Sequence, residues 1–152
     1  MLQDTITEQI ILRGLLMTQP TTTIGMKTIL HTTYEDALER TKTALKANGF
    51  GVLTEINVKE TLKAKIDVDF RPYIILGACN PKLAYRALTA SSEIGLMLPC
   101  NVTVAQVGEG QVEVAIIDPI AMMTVVEHPD LPAIAHEAKA LLQKTLDMLN
   151  AG

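Results

Sequence analysis

The sequence has no tryptophan, two phenylalanines and three tyrosines. A core with so few rings must be aliphatic, filled by Ile, Leu, Val, Met and Ala. Two cysteines, Cys79 and Cys100, are too few to staple a small secreted fold. No apolar run approaches the roughly 20 residues needed to span a bilayer. The stretch 10–17 is apolar but short. Arg13 interrupts it, and it follows Asp4 and Glu8, where a secretory signal would carry positive charge. The expected location is therefore cytoplasmic, with no membrane association. A basic cluster is also missing. The formal net charge is −4, and the densest basic stretch, Lys59, Lys63 and Lys65, reads as a solvated helix face. Nucleic acid is thus not an expected partner. Phosphate-cradling glycine loops, nucleophile elbows and the His-Glu-x-x-His zinc motif are absent as well.

What is present is ordinary globular material. The 152 residues are 48% apolar and 20% charged, which suits one domain with a substantial core. Gln19-Pro20-Thr21 breaks the chain near its start. Residues 1–21 read as a loosely ordered leader, or a short helix with Ile6, Ile10 and Met17 on one face, and 22–152 as a single domain. Met17 and Met26 are alternative starts that the sequence leaves open.

Alternation over 24–31 predicts a strand, with Ile24, Met26, Thr28 and Leu30 on one side. Thr32-Thr33-Tyr34-Glu35 has the form of a capping box, and Ala37, Leu38, Thr41, Ala44 and Leu45 continue a helix to Asn48-Gly49. A second strand over 50–56 places Phe50, Val52 and Ile56 on one face. Asn57 caps a short helix marked by Val58, Leu62 and Ile66, with a hairpin strand as the alternative. Residues 73–78 form a third strand. Asn80-Pro81 then opens a helix whose buried stripe is Leu83, Ala84, Ala87 and Leu88. Residues 91–98 read as irregular. Cys100, Val102 and Val104 share a side of the fourth strand, Gly108-Glu109-Gly110 turns it, and Val112, Val114 and Ile116 alternate in the fifth. Asp118-Pro119 starts a helical turn through Met123, and Asp130 caps a long last helix with Leu131, Ile134, Ala138, Leu142 and Leu149 inward.

A closing hairpin breaks strict strand–helix alternation, so the expected class is α+β. The predicted architecture is a mainly antiparallel twisted sheet with helices on one face. The outward side chains are expected to include Leu53, Ile74, Leu76 and Ile117. That face is more apolar than a solvated one should be, and a homodimer would bury it.

Five segments carry a resemblance. They are Phe50–Ile56, Phe70-Arg71-Pro72-Tyr73, Leu76-Gly77-Ala78-Cys79-Asn80-Pro81, Ile94–Val102 and Asp118-Pro119. In this order the chain resembles the prokaryotic "domain of unknown function 302" family over about residues 22–150. The resemblance implies a fold like that of the TATA-binding protein: a strand, a helix, four strands and a terminal helix, with short helices added. It also implies a homodimer, and it brings no catalytic residues. Fold likeness does not imply DNA binding.

The sharpest chemical candidate is Cys79, directly before the Asn80 cap. A helix N-terminus stabilises a thiolate there, which would serve a nucleophile, a redox group or a soft-metal ligand. The plain alternative is a small residue filling a tight corner. Cys100 reads as core, but it shares the resembling motifs and so could lie beside Cys79. Their spacing lacks a Cys-x-x-Cys signature, and His31, His128 and His136 have ordinary surface explanations, so no metal site is expected. Asp118 reads as an N-cap. Glu55 is a candidate for the outward face, opposite Arg71 or Arg86. No cofactor is indicated. Three functions remain open: a homodimeric module for a small apolar or amphipathic ligand, a thiol-dependent protein using Cys79 and Cys100, and an interaction protein without a site.

Overall fold

The computed structural model describes residues 24–152. The leader expected at 1–21 lies outside the described residues. The order is β1 (Gly25–Leu30), α1 (Tyr34–Ala47), β2 (Gly51–Asn57), α2 (Val58–Ile66), β3 (Tyr73–Cys79), α3 (Pro81–Ala90), a 3-10 turn (Ser92–Met97), β4 (Cys100–Gly108), β5 (Gln111–Ile117), α4 (Pro119–Met123) and α5 (Leu131–Ala151). The strands form one antiparallel sheet ordered β1-β5-β4-β3-β2. This is the α+β architecture expected, and the segment Val58–Ile66 is helix rather than strand.

Local chemistry sets the boundaries. Thr33 Oγ1 accepts from Asp36 N at 3.2 Å, while the Thr32 hydroxyl donates to Asp36 Oδ2 at 2.7 Å. The carboxylate at the helix start is therefore that of Asp36, not Glu35, and it holds the Thr32 hydroxyl. Asn57, Asn80 and Asp118 each accept a backbone N–H of the helix that follows. Asp130 makes no such bond; its own N–H donates to His128 Nδ1 at 3.2 Å. Gly49 ends α1 at φ 84° and Gly110 turns the β4–β5 hairpin at φ 61°, conformations that glycine adopts without penalty.

The core lies between the sheet and the helices. Val102, Val104, Val112, Val114 and Ile116 are fully buried there with Leu45, Leu131 and Leu142. The long helix α5 packs on α1, α3, α4 and β1. Thr41 and Thr145 are buried within this layer, and each hydroxyl donates to the carbonyl one helical turn back.

Four side chains differ from expectation. Ile74 and Leu76 face the helices, paired with Val104 and Val102, rather than pointing outward. Nearly every residue of β3 is apolar, so alternation could not choose its face; only register with β4 does. Ile56 leaves the face of Val52 and turns outward opposite Ile75, half exposed. The cause is a bulge at Leu53, which reverses every later side chain of β2. Leu88 is exposed, because α3 packs through Leu83 and Ala87 while Leu88 sits beside Gly95 of the 3-10 turn.

Gly77 is the tightest strand position. A Cβ there would meet the Thr54 side chain and come within 2.7 Å of Pro99 Cγ. We predict that Gly77→Ala costs about 1–3 kcal/mol, the usual penalty of overpacking. Urea unfolding checks this, and an unchanged midpoint would show that Thr54 and Pro99 yield freely.

Candidate functional site

The C-terminal ends of β3 and β5 and the start of β4 meet at one end of the sheet. Each of those C-terminal ends runs into an Asx-Pro pair: Asn80-Pro81 after β3 and Asp118-Pro119 after β5. This device turns the chain sharply and starts a helix at once. It gathers Cys79, Asn80, Cys100 and Asp118 at the same end.

Glu55 and Arg71 are not part of that gathering. The bulge in β2 swings Glu55 toward the helices, where Lys42 Nζ lies 2.8 Å from its carboxylate. Glu55 therefore does not face outward opposite Arg71 or Arg86, as expected from the sequence. Arg86 instead pairs with Glu137 at 2.6 Å. Arg71 precedes the far end of β3 and lies over the rings of Phe70 and Tyr73, at 5.4 and 5.8 Å.

Cys79 and Cys100 line one small cavity of about 20 Å³ with Phe50, Leu83, Met123 and Ala138. Both are free thiols. The cavity is far smaller than a ligand site. Burial pushes the Cys79 thiol up, and burial together with nearby Cys79 pushes Cys100 up to about 11. Both shifts oppose the lowered value a helix N-terminus would give. Among the described residues, no group of three or more His, Cys, Asp or Glu is placed to hold a metal.

Asp118 has two tasks. Its Oδ1 accepts from Ile120 N at 2.9 Å, and its Oδ2 accepts from Lys139 Nζ at 2.6 Å. Burial alone would raise its pKa; the bonds from Lys139 and from the α4 backbone outweigh that and hold it below the ordinary carboxylate range. Asp118 thus ties α4 to α5 and fixes the wall that α4 presents.

That wall borders a feature the sequence reading missed. A hollow of about 330 Å³ lies between the 3-10 turn, the strand ends and α4, lined by Leu96, Met97, Leu98, Pro99, Ile117 and Met122. Ile24 and Ala121 stand at its margins, and Asn101 is the one polar side chain among its lining residues. Leu98 separates the hollow from the thiol cavity, lining both. The hollow opens onto the outer sheet face. A broad groove of about 480 Å³ runs across that face past Lys27, Tyr73, Thr103, Glu113 and Ala115. The space between the sheet and the long helix α5 is filled by the side chains of the core. The available sequence signal was the apolar, aperiodic run from Ile94 to Pro99, which read only as irregular.

This arrangement defines an α+β domain with one helix-covered sheet face and one open face crossed by a groove. The chain belongs to the family described as domain of unknown function DUF302, whose profile matches residues 26–149. An uncharacterised conserved DUF302 protein from Bacillus stearothermophilus, solved by crystallography, is similar at 31% identity and a TM-score of 0.77. The match covers 84% of this chain and 99% of that one. No curated protein matches the chain. No molecular function is established for the family or for that neighbour. Among the described residues no helix is long and apolar enough to cross a membrane.

The thiol environment has a measurable consequence. A group whose pKa is raised stays protonated, and unreactive, to higher pH. With iodoacetamide at about pH 7, Cys79 should react more slowly than a free cysteine of pKa near 8.5, and its rate should climb only in more alkaline solution. Cys100 should stay unmodified until the protein unfolds. Mass spectrometry of alkylated peptides reads both; rapid neutral-pH labelling of Cys79 would contradict the assigned direction.

Proposed function

We propose that this domain is a homodimeric binding module for a small apolar or amphipathic molecule, held in the hollow between the 3-10 turn and α4. The observation that carries the reading is the hollow itself. Its size falls in the ordinary range for ligand sites. Its lining is aliphatic and sulfur-bearing, with the Asn101 amide as a single group able both to donate and to accept. The fitting ligand class is an apolar body with one hydrogen-bonding head. Leu96, 86% exposed, and Ile24, 72% exposed, stand at the rim. Exposed apolar side chains around a concave site are a common mark of ligand or partner contact.

The dimer part of the proposal rests on the outer face. The face that Ile74 and Leu76 were expected to make apolar is instead formed by Ile29, Ile56, Ile75, Ala115 and Ile117, with Tyr73 and the Lys27–Glu113 ion pair among them. A second copy laid across it would cover these groups by a two-fold arrangement. The thiol reading is less favoured, since burial works against ionisation of both cysteines.

The amphipathic dye 8-anilino-1-naphthalenesulfonate tests the hollow. We expect saturable fluorescence enhancement with the whole chain. Ala121→Trp, at an exposed lip position, should reduce it at least about tenfold, a loss near 1.4 kcal/mol, without lowering the melting temperature. Equal binding by both proteins would refute the site. Sedimentation equilibrium tests the dimer: the natural chain should sediment at twice its monomer mass, and Ile56→Lys should shift it toward monomer. A natural chain that is monomeric at every concentration would refute that part.

A further inference from the structure

We infer that Cys79, Cys100 and Met123 form a site for one soft monovalent metal ion, copper(I), in the small cavity they share. The inference does not depend on the hollow, which can bind or fail to bind an apolar molecule without altering it.

Three separate stretches of chain deliver the sulfur-bearing residues. Ala78 of β3 lies opposite Cys100 of β4, so Cys79 stands one residue beyond that pair, at the end of its strand. Met123 ends α4, the helix that the Asp118–Lys139 bond ties to α5. All three residues line one cavity of about 20 Å³. That space is far too small for an organic ligand and close to that of a single water-sized sphere. It suits one ion. Phe50, Leu83, Ala87, Leu98 and Ala138 complete most of the wall, and no carboxylate or imidazole is among the lining residues. Calcium and magnesium, which need several oxygen ligands, are therefore excluded. Zinc would find two of the four donors it usually takes. Thiolate and thioether together select copper(I). No local motif announces the site, because its third donor is a methionine on a different element.

The binding step balances without a redox partner. Each thiol releases its proton to solvent as a Cys sulfur–copper bond forms, the thioether of Met123 donates a lone pair, and copper stays in its +1 state. The bound centre carries one negative charge. Cys79 directly precedes Asn80, the N-cap of α3, so that charge lies by the positive end of a ten-residue helix. The burial that keeps both thiols protonated slows their reaction with electrophiles, but a soft cation displaces the protons itself. Cys79 is partly exposed and Cys100 is buried. The ion thus enters past Cys79 and comes to rest against Cys100.

The test titrates the whole reduced chain with copper(I) in the absence of oxygen, against the coloured chelator bicinchoninate. One copper per chain should be withdrawn from the chelator, with an ultraviolet thiolate-to-copper band. Cys79→Ser and Cys100→Ala should each weaken binding by about a hundredfold, and Met123→Leu by about tenfold with an unchanged melting temperature. A natural chain that withdraws no copper overturns the inference, as does a double cysteine variant that binds as tightly. Unchanged affinity in Met123→Leu overturns the three-sulfur site. Where a cysteine variant fails to fold, the natural chain decides. Bound copper should protect Cys79 from iodoacetamide in alkaline solution, and equal labelling with and without copper overturns the site. Equal protection by zinc overturns the choice of metal.

Discussion

The fold depends on one sheet face being almost wholly aliphatic. Ile74, Leu76, Val102, Val104, Val112, Val114 and Ile116 form a continuous layer, registered across β3, β4 and β5. Each buried side chain of this kind stabilises by roughly 1.5–3 kcal/mol relative to exposure. The layer also dictates direction. With one face committed to α1 and α5, a one-residue slip of any central strand would turn its buried set to water. The relative positions of the strand ends, and hence of the hollow, follow from that constraint.

The open face is what remains when α1 and α5 cover the other side. It is neither a solvated polar surface nor a second core. Isoleucines alternate with Thr103, Tyr73 and the Lys27–Glu113 pair. Such a mixture offers apolar area together with a paired charge, as a surface covered by another protein commonly does. The end hollow is bounded by the 3-10 turn and α4 as well as by the strand ends, with Met122 buried and Met97 half-buried.

Much of this architecture was legible in the sequence. Periodicity located all five strands and the helices, because Val102/Val104 and Val112/Val114 alternate and α5 repeats every three to four residues. Asn80-Pro81 and Asp118-Pro119 announced helix starts through chemistry confined to a few adjacent residues. What could not be read were features decided by distant partners. The uniformly apolar β3 carries no mark of which face is inward, and nothing near Leu53 announces a bulge. Glu55 was therefore placed on the wrong side, away from Lys42. Of the candidate site, the sequence left open whether the two thiols lie together; the register of β3 with β4 brings them to one cavity. The hollow was not, since its walls come from Leu96–Pro99, Ile117 and α4, three stretches that no local pattern connects.

The irregularity at Leu53 matters beyond the side chains it redirects. β2 is a margin of the sheet, and its outer row of backbone donors and acceptors would otherwise template another strand. An extra residue puts that row out of step, so a straight incoming segment loses its hydrogen-bond match partway along. Open-ended stacking of copies into filaments is thereby discouraged along this margin. A protein that keeps one sheet face bare gains from such a blunted border, since it stays receptive to contact on its surface while resisting growth at its side.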